Sequence, residues 1–174
     1  MVPWMSSIEI ETILKYLSPE SVMLEYGSGG STNFFPKYVK QYYSIEHNFE
    51  WYNKVSGMTN DSDRIHMYHI RQDCEVPKHR ASNWEELDNS SRSKEFAKYI
   101  RYPEIINKTF DAVLIDGRAR PECAKFIYDY LNDGAHVFMH DYWARERYHV
   151  VTEKYDIVDS VKTGQSLVVL KKKV

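Results

Sequence analysis

The chain has 174 residues, 43% of them hydrophobic and 28% charged, and a net charge of −2, which predicts one water-soluble globular domain with its own core. That charge argues against a general nucleic-acid binder despite the Lys171-Lys172-Lys173 tail, and no apolar run approaches the ~20 residues of a bilayer span. No cationic segment followed by an apolar one opens the chain, so the expected location is cytoplasmic, with Cys74 and Cys123 as reduced thiols rather than a disulfide.

Ile8, Ile10, Ile13, Leu14 and Leu17 recur at helical spacing, predicting a helix over 7–17 that Pro19 closes. Val22-Met23-Leu24 then leads into Glu25 as a first strand over 22–26. The turn Gly27-Ser28-Gly29-Gly30 follows, and a helix is expected over 32–40. Strand, glycine turn and helix form the layout that brings a nucleotide-like ligand against bare backbone at a helix N-terminus. A Cβ would block that approach, and the turn needs a positive φ.

Residues 41–46 read as a second strand ending in Glu46, nineteen positions beyond Gly27. An acid about 20 residues after such a turn is placed to hold a ribose diol. A short helix over 50–55 and a third strand over 65–70 come next, the latter ending at Gln72-Asp73. Residues 74–109 break the pattern with Pro77, Asn83 and Pro103, and read as an insertion or substrate lid with one helix near 93–100.

Phe110 to Ile115 is a buried fourth strand that turns at Asp116-Gly117. A helix is expected over 121–131, begun by Pro121 and stopped by Asn132-Asp133-Gly134. The fifth strand, over 135–139, ends in His140-Asp141-Tyr142. A short helix over 148–155 precedes two strands, 156–161 and 166–172, which flank Lys162-Thr163-Gly164-Gln165 as a hairpin.

Alternating strands and helices imply a parallel sheet, whose ligands bind beyond the strand C-termini. Glu25, Glu46, His47, Gln72, Asp73, Asp116, His140 and Asp141 all fall at that edge. Asp116, His140 and Asp141 follow adjacent strands, and two carboxylates with an imidazole suit Mg²⁺, Mn²⁺ or Co²⁺. The other readings are that Asp116 caps its turn, or that His140 is a general base whose ordinary pKa suits neutral pH. Arg118, Arg120, Arg145 and Arg147 just beyond could clamp an anion, and Tyr142 and Trp143 could line an acceptor pocket.

With Glu25-Tyr26-Gly27-Ser28-Gly29-Gly30, Glu46 and the terminal hairpin, the chain resembles a class I S-adenosylmethionine-dependent methyltransferase. The resemblance implies an α/β, Rossmann-like fold: a seven-stranded, mostly parallel sheet with a C-terminal antiparallel hairpin and helices on both faces. It implies S-adenosylmethionine as cofactor, held by Glu25, Gly27, Gly29, Glu46 and Asp73, with Ser28, His47 and Asp116 beside them.

Val113-Leu-Ile-Asp-Gly-Arg118 and Val137-Phe-Met-His-Asp141 are similar to glucuronoxylan-type polysaccharide O-methyltransferases and to divalent-metal-dependent sugar O-methyltransferases. That resemblance implies methylation of a sugar or glycan hydroxyl, with Asp116, His140 and Asp141 catalytic and holding Mg²⁺ or Mn²⁺. A second acid found in the metal-dependent relatives is Arg118 here, which leaves the base open. No Asn-Pro-Pro-Tyr-like motif follows the fourth strand, which favours an oxygen over a nitrogen acceptor. The alternatives are a small-molecule O-methyltransferase acting on a phenol or small acid, a nucleotide-binding oxidoreductase, and a non-catalytic module of the same fold. The hairpin counts against the oxidoreductase, which would need a sixth parallel strand.

Overall fold

The computed structural model describes residues 2–59, 63–74 and 89–173. One mixed sheet of seven strands organises them, in the order β3-β2-β1-β4-β5-β7-β6. β1 (Val22–Tyr26), β2 (Gln41–Glu46), β3 (Ile65–His69), β4 (Phe110–Ile115) and β5 (Leu131–His140) run parallel. β6 (Tyr155–Val161) and β7 (Leu167–Lys172) form the expected hairpin, and β7 inserts antiparallel between β5 and β6.

The central strands are apolar on both sides, and their alternation splits the core in two. Leu24, Tyr26, Val113 and Ile115 face one layer, which includes Cys123, Ala124 and Ile127 of a helix over 120–127. Met23, Ala112, Leu114 and Phe138 face the other, covered by Ile13 and Phe35. Both cysteines are free thiols, Cys74 exposed and Cys123 buried.

The helices are shorter than the sequence predicts. α1 spans Ser7–Leu14, and α2 spans Gly30–Phe34 before the chain tightens into a 3₁₀ turn at Phe35–Tyr38. Pro36 is the cause, because it has no N–H for the i−4 carbonyl of an α-helix. α3 spans Phe49–Ser56, with Asn48 Oδ1 accepting from Trp51 N at 2.8 Å as an N-cap. In the segment read as an insertion, α4 (Asn89–Glu95), α5 (Ala97–Arg101) and α6 (Pro103–Ile106) follow one another, and Phe96, Tyr99 and Ile100 are buried. The proposed lid otherwise falls on residues 75–88, outside the described residues.

α7 (Arg120–Ile127) ends four residues before the predicted boundary and gives way to a 3₁₀ turn at Tyr128–Tyr130. Asn132-Asp133-Gly134, read as a helix stop, lies inside β5. Leu131 pairs with Phe110 and His136 with Ala112, so extra β5 residues are accommodated as a bulge. The segment predicted as a helix over 148–155 is a 3₁₀ stretch at Glu146–Glu153.

Candidate active site

A cavity of about 710 Å³ opens beyond the carboxyl ends of β1, β2, β4 and β5, where open parallel sheets bind ligands. The glycine turn lines it, and so do Asp116, His140 and Asp141 at the adjoining strand tips. Gly27 has φ +95°, the positive value the turn was expected to need. Its neighbour is protein rather than ligand: a Cβ there would stand 2.5 Å from Gly117 Cα. Gly30 likewise lies against the N-terminal segment, at the Val2 carbonyl. Gly29 alone of the three has room beside it, its nearest heavy atom being Ser31 Oγ at 3.7 Å. Close approach of a ligand to bare backbone is therefore possible at Gly29.

Glu46 is 3% exposed, and its carboxylate accepts from Ser28 N at 3.0 Å and Asn48 N at 2.7 Å. The strand-two acid thus ties the glycine turn to the start of α3. A carboxylate has about four lone-pair sites, so Glu46 can also accept from hydroxyls in the cavity it lines. His47 Nδ1 lies 2.9 Å from Glu46 Oε1, and the ring also lines the cavity. Trp51 Nε1 donates to Ser28 O at 2.6 Å and pins the turn from the other side.

Two expected cofactor residues are placed elsewhere. Glu25 is fully buried beneath the turn, where Ser31 Oγ, Thr32 Oγ1 and Ser44 Oγ donate to it. Burial pushes its carboxyl up to about 7, against the pull of those hydroxyls. Glu25 positions α2 and does not line the cavity. Asp73 accepts from Lys98 N at 2.9 Å and pairs with Lys98 Nζ at 3.2 Å, so it caps the start of α5 instead of facing the ligand space.

At the β4 and β5 tips runs a chain of alternating acids and bases. Glu9 Oε1 lies 3.4 Å from His140 Nε2, and His140 Nδ1 lies 3.0 Å from Asp116 Oδ1. Arg120 Nη2 stands 3.2 Å from both Asp116 Oδ1 and Asp141 Oδ2. Arg145 Nη2 is 3.2 Å from the same Asp141 oxygen and ends the series. Burial alone would lower the pKa of His140, but its hydrogen bond to Asp116 and the charges of Asp116 and Asp141 outweigh burial and raise it. Burial would raise that of Asp116, yet the Arg120 guanidinium and the His140 contact hold it below the usual value.

Local backbone geometry sets up this series. Asp141 (φ 55°) and Ala119 (φ 49°) are both left-handed, at the tips beyond β5 and β4. Such conformations cost non-glycine residues of order 1 kcal/mol or more and tend to occur at functional sites. Glu9 is held by a capping box, its Oε2 accepting from Ser6 N at 2.7 Å and Ser6 Oγ at 2.8 Å, which leaves Oε1 for His140. Glu9 was missed in the sequence because Ser-x-x-Glu ahead of an apolar run signals a helix start and nothing more.

The expected anion clamp fares differently residue by residue. Arg120 is 7% exposed and spends its guanidinium on the two aspartates, on Gly117 O at 3.0 Å and on His140 O at 2.6 Å. Arg118 and Arg145 line the cavity, whereas Tyr142 and Trp143 pack edge to face in the core layer, away from it.

Asp116, His140 and Asp141 offer ligand atoms all within 4.8 Å of one another, a spacing compatible with a metal ion. The charge around them does not fit a dication. An ion about 2.1 Å from either aspartate oxygen would stand within roughly 5 Å of the Arg120 nitrogen shared by both. The aspartate oxygens such an ion would need are already held by that guanidinium, so the ion would have to displace it or share them against its positive charge. The two aspartates are already matched by two arginines.

No protein-family model matches the chain, and no curated protein is similar to it in sequence. Solved structures share its fold. A methyltransferase-like protein from Silicibacter pomeroyi aligns with a TM-score of 0.67 at 20% identity, over 98% of this chain and 88% of its own. A caffeoyl-CoA O-methyltransferase candidate from Staphylococcus aureus aligns at 0.66 and 11% identity, over 99% and 86%. The N-methyltransferase NodS from Bradyrhizobium japonicum aligns at 0.62 and 13%, over 97% and 94%. The chain therefore has the Rossmann-like fold of these methyltransferase structures, with their acceptors differing by name between oxygen and nitrogen.

Proposed function

We propose that this protein is an S-adenosylmethionine-dependent O-methyltransferase acting on a hydroxyl of a sugar or glycan. The observation that supports this reading is one cavity lined both by a glycine turn braced by Glu46 and by an acid–base series on the β4 and β5 tips. The residues present suit the cofactor: open space at Gly29 admits a ligand against backbone, and Glu46 keeps acceptor capacity for a ribose diol. When bound, S-adenosylmethionine supplies an electrophilic sulfonium methyl group.

The chain's own residues orient an acceptor and handle its proton. The Asp116 and Asp141 side chains are 25% and 22% exposed, against 3% for His140. A hydroxyl entering the cavity thus meets the aspartates first. The Asp116 carboxylate accepts the hydroxyl hydrogen. As the hydroxyl oxygen bonds the methyl group and the sulfonium S–C bond breaks, that proton can pass through Asp116 to Nδ1 of a neutral His140 that keeps its own hydrogen on Nε2, facing Glu9. Holding two reactants in one cavity contributes several kcal/mol of the acceleration as effective molarity. The oxygen preference rests on Asp116-Gly117-Arg118 standing at the strand-four tip, with no amide-binding motif there.

Calorimetric titration with S-adenosylmethionine and S-adenosylhomocysteine tests the cofactor, and a screen of sugars and glycans with labelled methyl donor tests the acceptor. Binding of neither sulfur compound below millimolar concentration sinks the whole reading. Binding with transfer only to phenols, small acids or amines keeps the enzyme class and discards the acceptor.

A further inference from the structure

We infer that Arg120 is the resident cation of this site, and that the Asp116/His140/Asp141 cluster takes no divalent metal while Arg120 is present. The guanidinium occupies the space between the two aspartates, with one nitrogen 3.2 Å from an oxygen of each. It also donates to backbone carbonyls at both strand tips, Gly117 O and His140 O, and lies 5.9 Å from the centre of the Tyr148 ring. Arg120 is thus anchored to the two loops whose acids it joins, and it is buried, so the contact is not a screened surface pair. Charge balance points the same way. Both aspartates already carry guanidinium partners, Asp116 from Arg120 and Asp141 from Arg120 and Arg145, so their charge is met without a dication.

A guanidinium bridge differs from a metal in what it gives the reaction. It fixes the two carboxylates relative to each other and balances their charge, but it has no open coordination position for a substrate oxygen. The acceptor hydroxyl is therefore oriented by the aspartates as hydrogen-bond acceptors. Deleting the guanidinium should expose two carboxylates and an imidazole at metal-binding spacing.

The test is a Mn²⁺ titration at neutral pH, read by the electron paramagnetic resonance signal of free Mn²⁺, without any methyl donor. The inference does not rest on the proposed cofactor, so loss of one reading leaves the other standing. Wild-type protein is expected to leave Mn²⁺ free, while Arg120→Ala binds it at least about tenfold more tightly through the unmasked ligands. Submillimolar Mn²⁺ binding by the wild type that Asp141→Asn removes would overturn the inference. So would a folded Arg120→Ala variant, checked by circular dichroism, that binds no Mn²⁺. If that variant does not fold, Arg120→Gln replaces it, and the wild-type titration decides without any variant.

Discussion

Gly27 and Gly117 meet backbone to backbone, with a Cβ on Gly27 falling 2.5 Å from Gly117 Cα. This contact joins the turn after β1 to the turn after β4 and sets Asp116 beside the glycine loop. Gly27→Ala must both strain a φ of +95° and push the two turns apart. It is expected to cost at least about 2 kcal/mol in urea unfolding. Gly29→Ala has room for its methyl and should stay within about 1 kcal/mol of wild type. Its cost should appear as weaker S-adenosylmethionine binding in calorimetry.

Glu46→Gln separates bracing from binding. The amide keeps one acceptor oxygen but loses the charge that strengthens hydrogen bonds from Ser28 N, Asn48 N and a cofactor diol. A loss of about 1.5–3 kcal/mol in S-adenosylmethionine affinity, roughly tenfold to a hundredfold, is expected. An unchanged dissociation constant would remove Glu46 from the cofactor site.

His140 has its pKa raised in the folded protein, so its stabilising contribution is complete below the unfolded value near 6.5. That contribution is lost as pH rises through the raised folded value. The stability gap between wild type and His140→Gln should therefore be larger at pH 6 than at pH 9 in urea denaturation. The proton-accepting role requires neutral His140, so kcat should rise through the same interval. Glu9→Gln, which removes a carboxylate 3.4 Å from the ring, should move the His140 midpoint to lower pH in an NMR titration.

Glu25 carries a buried carboxyl with its pKa pushed up to about 7. Because the folded value lies above the unfolded one, the fold is penalised as pH rises from about 4.5 to 7 and levels off above that. The full span amounts to roughly 3 kcal/mol. Glu25→Gln resembles the protonated form and should flatten this part of the stability profile. A variant with an unchanged slope over that range would show that Glu25 is not its source.

Much of the frame was legible because burial leaves a strong signature. Val113-Leu114-Ile115 and Val137-Phe138-Met139 are apolar on both sides, as a central parallel strand requires, and the acids just after them mark the functional edge. Helix ends were less legible. Asn132-Asp133-Gly134 carries turn-like residues yet runs inside β5, because pairing with β4 and a bulge outweigh local preference. Glu25 and Asp73 were assigned to the cofactor by their place at the strand ends and by the methyltransferase resemblance. Only packing shows that one supports α2 from beneath and the other caps α5. Arg120 looked like a free cation beyond a strand tip because the sequence does not reveal which acids a long side chain can reach.

The strand order bears on which parts of the molecule open first. β4 lies between β1 and β5, and β5 between β4 and β7, whereas β3 and β6 are the two edges. Hydrogen bonds on both flanks tie opening of a central strand to opening of its neighbours, while an edge can fray alone. Amide exchange should accordingly be fastest along β3 and β6 and slowest through Val113–Ile115 and Val137–Met139, the runs that end at Asp116 and His140. The acid–base series is thus attached to the segments that exchange last, so edge strands and outer loops can vary while its spacing is kept.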